Sequence, residues 1–232
     1  MKHGKGVIGI PTHFLGRYRE FDICVDALKY PEGTAIKRMA SECIPLNCNN
    51  AIRAMLLGDY EWVWIIGDDH VFSPNILYKL LDHEVDVVVP LCVSRSYPYK
   101  YYIYDNSDTN YKVIGRSFLT GKTGLVDITG YCTSNTGMLI RRHVVEDIID
   151  APWFENCPDN REILREDLVF CDKLRKHEVK LYIDTDTPMG HITHVAVWPT
   201  RKKYNRYAHD IKSTQEIFSL QRGDNNEKQD SV

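Results

Sequence analysis

An α/β fold built on a doubly wound, mostly parallel sheet is what this 232-residue sequence predicts, and three observations carry the expectation. Apolar strand-like runs alternate with amphipathic runs along the chain. The central run, Trp62–Ile66, is aromatic and β-branched throughout, as in a strand covered on both faces. It ends abruptly at Gly67 in an acid-rich turn, the place where open α/β sheets gather ligands. The length and ordinary composition, 43% hydrophobic and 26% charged, suit one domain over residues 1–210, with 211–232 as a C-terminal helix or polar tail whose end is expected to be disordered.

Taken in order, Val7–Ile10 reads as a first strand, ended by Pro11. Between Arg17 and Tyr30, Phe21, Cys24, Val25 and Leu28 recur at helical spacing, and Pro31-Glu32-Gly33 closes that helix. Thr34–Met39 is a second short strand. Asn49 or Asn50 is a candidate cap for a helix burying Ile52, Met55 and Leu56 and stopping at Gly58-Asp59. After the central strand come a helix from Pro74 to His83, with proline in its first turn, and a buried strand Asp86–Cys92.

Beyond Cys92 the texture changes. Tyr97, Tyr99, Tyr101, Tyr102 and Tyr104 precede a turn at Asp105–Asp108 and a run Tyr111–Phe118, which together predict an inserted β-hairpin. The tyrosines suit either a strand with one wet face or a stacking platform for a sugar or base. Gly124–Thr133 and Gly137–Arg141 continue as strands, and His143–Ile149 as a short helix ended by Ala151-Pro152-Trp153-Phe154. Arg165-Glu166-Asp167 opens a helix burying Leu168, Phe170, Cys171 and Leu174, and the helix dipole alone would account for both acids. Lys180–Ile183 is a strand, and Pro188–His194 a loop carrying His191 and His194. The basic, aromatic run Arg201–His209 is either a solvated surface segment or an acceptor contact.

A formal charge of −3 and a pI near 6.3 give no global case for a nucleic-acid binder. Seven scattered cysteines, none in a Cys-x-x-Cys pair, read as mostly buried thiols. The polar Met1–Gly6 runs straight into a strand, and no apolar run approaches the ~18 residues of a membrane span. These features lead to the expectation of a soluble protein of the reducing cytoplasm.

The stretch Glu61–Pro74 carries the chemistry. Gly67-Asp68-Asp69-His70 is either a polar turn between strand and helix or a set of carboxylates and imidazole for a divalent cation that carries a phosphate. In an extended chain Asp68 and His70 would point one way and Asp69 the other.

The order of these pieces resembles the GT-A fold glycosyltransferases, family-2-like, which transfer a sugar from a nucleotide diphosphate to an acceptor. The landmarks are Ile10-Pro11-Thr12 after the first strand, Gly67-Asp68-Asp69-His70 in place of the family's Asp-x-Asp, Glu166-Asp167 opening a late helix, and Gly190-His191 after the last core strand. The match spans Val7 to Trp198. The resemblance implies a Rossmann-like mixed sheet with a hairpin insertion. It puts Asp69 and His191 on a Mn²⁺ or Mg²⁺ ion, with His194 a second choice. Pro11, Thr12, His13, Asn50, Arg53 and Asp68 would contact the donor, a UDP-sugar by first choice. Gly137 and Trp153 would shape the acceptor side, and Asp167, with Glu166 beside it, would serve as general base of an inverting reaction. Gly67 departs from the family's first acid, so Asp68 or His70 takes that role.

A cation of this kind offsets charge on the departing diphosphate, and an ionised carboxylate takes the proton of the attacking hydroxyl. The other functions weighed are nucleotidyl transfer, disfavoured by the lack of a Gly-rich phosphate loop, and non-catalytic nucleotide-sugar or glycan binding. The acceptor stays open among glycan, protein, small molecule and modified nucleic-acid base.

Overall fold

The computed structural model describes residues 3–12, 18–41, 43–105, 111–156 and 165–193, together with the backbone of 196–202 and 206–212. His13, His194, Cys157, residues 106–108 of the predicted turn and the tail beyond Lys212 lie outside the described residues. The first half follows the expected alternation: β1 (Val7–Thr12), α1 (Arg19–Ala27), β2 (Ala35–Ala40), α2 (Ile44–Leu57), β3 (Trp62–Ile65), β4 (His70–Val71), α3 (Ile76–Asp82) and β5 (Val87–Leu91). Then come β6 (Ile103–Asp105), β7 (Lys112–Val113), α4 (Gly115–Leu119), β8 (Leu125–Asp127), β9 (Cys132–Thr133) and β10 (Met138–Arg141). A π-type turn at Val144–Ile148 leads to α5 (Glu166–Lys176), β11 (Leu181–Pro188), β12 (Gly190–Ile192), β13 (Ala196–Lys202) and β14 (Arg206–Lys212).

The main sheet has seven strands in the order β2-β1-β3-β10-β5-β11-β8. Its strands are parallel except β10, which runs antiparallel between β3 and β5, and the edge strand β8. Side-chain alternation along β1 and β3 divides the core. Val7, Val63 and Ile65 pack beneath α2 and α5, while Ile8, Trp62 and Trp64 pack with Phe21 of α1 and Leu77 of α3. Helix α2 lies so close to β1 that a Cβ on Gly9 would sit 2.4 Å from the Ala51 Cβ. A four-stranded sheet, β14-β13-β12-β4, and a three-stranded one, β7-β6-β9, flank the main sheet. No helix among the described residues is long and apolar enough to cross a membrane.

Several local expectations change. Pro11 does not end the first strand, since Pro11 and Thr12 still pair with Met39 and Ala40 of β2. Gly9 turns its carbonyl toward the β3 side to accept from Ile66 N, so Pro11, two residues on, turns its missing N–H to a side where β3 has already left the sheet. The run Tyr111–Phe118 is strand only at β7. Ile114 O accepts from Phe118 N in a helical turn, which the i, i+4 spacing of those apolar residues favours. The His191 segment is a strand rather than a loop, and Arg201–His209 falls in the β13/β14 hairpin, whose side chains and residues 203–205 lie outside the described set. Of the cysteines, Cys24, Cys48, Cys92, Cys132 and Cys171 are buried thiols, whereas Cys43 is exposed.

Asn49 is not a helix cap. Helix α2 starts five residues earlier, with Pro45 in its first turn, and Asn49 is buried in its interior. Its Oδ1 accepts from Trp153 N at 3.1 Å and Phe154 N at 3.0 Å, and its Nδ2 donates to Phe154 O at 2.7 Å. One side chain thus satisfies three backbone groups of the segment after the π-type turn. Asn49→Ala would leave them buried and unpaired, at a cost of about 2–5 kcal/mol. A drop in the denaturant midpoint is the expected result, and an unchanged midpoint would mean the segment re-pairs by itself.

Candidate functional site

Strand β3 delivers the turn to the sheet's carboxyl edge, and β4 then pairs antiparallel with β12, setting His70 opposite His191. Asp69 O accepts from Ile192 N at 2.8 Å, which fastens the turn from the other side. The Asp69 carboxylate sits between both histidines: Oδ1 is 2.9 Å from His70 Nδ1, and Oδ2 is 3.2 Å from His191 Nε2. Arg95, half exposed, brings its guanidinium to 3.2 Å from the same Oδ2. Asp68 points elsewhere, accepting a 2.6 Å hydrogen bond from Thr12 Oγ1. The alternation expected for this turn thus separates Asp68 from Asp69, but His70 stays beside Asp69 because it has already joined β4.

Gly67 explains the departure from an Asp-x-Asp pattern. A Cβ there would lie 2.9 Å from Asp69 Oδ1 and 3.4 Å from the His70 ring, and Gly67 O accepts from His70 Nδ1 at 3.0 Å. The residue's lack of a side chain is what lets Asp69 and His70 fold against it. Gly67→Ala is expected to displace Asp69 and weaken cation binding by roughly 10–100-fold, the range for lost outer-shell support. A titration with unchanged affinity would show that Asp69 moves aside without loss.

The electrostatics follow from the packing. Burial alone would raise Asp69, but His70 and His191 outweigh it and hold the carboxyl far below the usual range. Burial would lower His70, yet Asp69 lifts it to about 10. Burial also raises the Cys92 thiol, and the neighbouring His191 and His70 imidazoles bring it back down to about 7. His191 donates from Nδ1 to Val93 O at 2.9 Å, so its Nε2 faces Asp69 with a lone pair unless a proton or cation lies between them. Cation–ligand bonds of about 2.0–2.2 Å at right angles put neighbouring ligand atoms ~3 Å apart, so the 3.2 Å separation fits two ligands of one ion.

Pro11, Tyr18, Ile44, Gly67, Asp68, Asp69, Arg95 and Asn135 line a cleft of about 330 Å³ at this edge. Pro11 thus lines the cleft, and Thr12 reaches it through Asp68. Asn50 and Arg53 do not line it. They pair with each other at 2.9 Å, and Arg53 is nine residues, or about 13 Å, along α2 from Ile44. Trp153 is core rather than acceptor wall, its indole N–H bound to Val145 O and Ile149 O. Gly137 has φ +66°, and a Cβ would meet Pro90 and Met189 at 2.9 and 3.0 Å, so it is a tight-packing position beside Asn135.

Asp167, in the first turn of α5, is 2% exposed. Burial raises its carboxyl, opposed by Arg165, 3.5 Å away, and by a hydrogen bond from Ser134. Glu166 is raised by burial and by Asp167. Both acids neighbour Cys48, whose thiol is driven up by burial and then by Glu166. Asn135 Nδ2, on the cleft wall, is 3.4 Å from Cys48 Sγ, linking the acids to the cleft. A second path runs from His191 to Tyr102 at 3.4 Å, to the stacked Tyr104 ring, and on to Arg165, which donates to Tyr104 at 3.2 Å.

The tyrosine row divides. Tyr102 and Tyr104 turn toward this site, whereas Tyr97 and Tyr99, with Lys100, Lys112 and Arg116, line a separate groove of about 890 Å³. Sequence reasoning missed Arg95, Cys92 and Asn135, and it named Tyr102 only within the tyrosine row. No motif or spacing marks Arg95, Cys92 or Asn135, because each reaches the site from a loop or strand end distant in the chain.

No protein-family model matches the chain, and no curated protein matches it in sequence. Among solved structures, A197 from STIV superposes with a TM-score of 0.59 at 15% identity, covering 90% of this chain and 94% of that one. The fold is of GT-A type. S. aureus TarS is also similar, at 12% identity and a TM-score of 0.46 over 79% of this chain and 35% of that one. Its 1–349 fragment in complex with UDP-GlcNAc gives 0.45 over 79% and 56%.

Proposed function

We propose that this GT-A protein is a divalent-cation-dependent glycosyltransferase of the cytoplasm, moving a sugar from a nucleotide diphosphate, a UDP-sugar by first choice, to an acceptor hydroxyl with inversion. The observation that carries the reading is the meeting of Asp69, in the turn after β3, with His191, on β12, where Asp69 lines the cleft together with Asp68 and Arg95. Asp69 Oδ2 and His191 Nε2 would hold the ion, Mn²⁺ or Mg²⁺ by analogy with the fold. When bound, it supplies positive charge against the diphosphate as the sugar leaves.

The chain's own groups do the rest. Asp68, fixed by Thr12, stands where Gly67 leaves the first acid position empty and would take the donor ribose. Arg95 is free to turn from Asp69 to the diphosphate oxygens, which a guanidinium grips in a fork. Asp167, buried at the start of α5, accepts the proton of the acceptor hydroxyl as its oxygen attacks the anomeric carbon and the bond to the diphosphate breaks.

Incubation with a panel of nucleotide sugars tests the reading. Release of free nucleoside diphosphate with a product of inverted anomeric configuration is expected. Pyrophosphate release would mean nucleotidyl transfer, and binding without turnover a non-catalytic nucleotide-sugar or glycan binder. The acceptor class, whether glycan, protein or modified nucleic-acid base, is then read from the mass of the modified product.

A further inference from the structure

Behind the Asp69–His191 pair lie two donor groups that an oxygen-rich cation site does not need. A nitrogen of His70, the Cys92 sulfur and a nitrogen of His191 lie within 4.8 Å of one another, all three residues buried. They arrive on separate strands: His70 on β4, His191 opposite it on β12, and Cys92 directly after β5. The two imidazoles stack with centroids 4.5 Å apart and planes 26° from parallel. His70 Nδ1 is taken by Gly67 O and Asp69, which leaves Nε2 buried and without a hydrogen bond among the described residues. A buried imidazole nitrogen with no partner costs free energy, and native structures keep few of them without a reason. The neighbouring thiol donates over 3.6 Å to Val93 O and interacts with both imidazoles.

We infer that His70 Nε2, the Cys92 thiolate and His191 form the cation site, with Asp69 beside it, and that the ion this set selects is thiophilic, of the Zn²⁺ class, rather than Mg²⁺. The inference rests on the cation-dependent reading above and specifies its metal. Thiolate and imidazole suit Zn²⁺ and Co²⁺, whereas Mg²⁺ keeps oxygen ligands and water. On binding, the S–H bond of Cys92 breaks, the sulfur electron pair forms the bond to the metal, and the proton leaves to solvent. Bonds of about 2.3 Å to sulfur and 2.0–2.1 Å to nitrogen place tetrahedral donors ~3.3–3.6 Å apart, so the set closes by an inward movement of about 1 Å. Outer partners are already in place, since Gly67 O orients His70 and Val93 O orients His191. Three such ligands leave a fourth position of the ion open.

Co²⁺ titrated into the metal-free full-length chain tests the inference optically. One equivalent should produce the intense near-ultraviolet sulfur-to-cobalt charge-transfer band, displaced by Zn²⁺ and not by excess Mg²⁺. The band should vanish in Cys92→Ser and persist in Cys48→Ser, which removes another buried thiol. Should Cys92→Ser fail to fold, X-ray absorption of the Zn²⁺-loaded natural protein decides, with one sulfur and at least two nitrogen neighbours expected. Co²⁺ bound with only weak d–d bands, or zinc without a sulfur neighbour, overturns the Cys92 assignment and leaves the Asp69–His191 reading standing. Failure to bind either ion overturns both.

Discussion

Asp167→Asn should cut turnover by about 10²–10⁴-fold, the usual contribution of a positioned general base, while nucleotide affinity stays at the parent level. The change is close to isosteric in a side chain only 2% exposed, so packing on Leu168 and Ser134 is kept. Stability gives an independent control. Burial raises the Asp167 carboxyl above its ordinary value, with Arg165 opposing. A carboxyl raised on folding stabilises the fold fully below its unfolded pKa, about 3.9, and that contribution is lost as pH rises through the folded value. Above that unfolded value the carboxyl is therefore a net burden, and the asparagine variant should melt at the parent temperature or slightly above it. The acidic limb of the parent's pH–rate profile should lie above the ordinary aspartate range for the same reason and disappear in the variant. Near-normal turnover, or an anomeric configuration retained from donor to product, would show that Asp167 is not the base.

The parallel frame is legible in the sequence because its strands are buried on both faces: Val7–Ile10, Trp62–Ile66 and Val87–Leu91 are apolar runs with clear punctuation. What stays hidden are pairings decided by partners far along the chain. Nothing local says that Met138–Arg141 inserts antiparallel between β3 and β5, or that the two-residue β4 recruits His191 into a strand. Asn49 looks like a cap because asparagine favours that position, but its three bonds to Trp153 and Phe154 join segments about a hundred residues apart. Within the site, Asp68, Asp69, His191 and Asp167 are marked by the order of their motifs. Arg95 and Cys92 carry no such mark, since their relevance arises only where the loop after β5 folds back onto the Asp69 turn. The absent acid at Gly67 becomes intelligible only from the 2.9 Å that a Cβ would leave to Asp69.

Calorimetric titration of UDP tests most directly the proposal that Asp69 and His191 share a cation with a nucleoside diphosphate. The two residues belong to one unit, 3.2 Å apart and held from outside by Ile192 N on the Asp69 carbonyl and Val93 O on the His191 ring. Removing either ligand should therefore act on the same quantity. UDP should bind the natural protein in the presence of Mn²⁺ or Zn²⁺, and chelation should abolish that binding. Asp69→Ala and His191→Ala should each lower the cation-dependent affinity by at least ~10-fold, the minimum that even an outer-shell loss brings at a metal site. Affinity unchanged in both variants, or UDP binding indifferent to chelation in the natural protein, would contradict the account.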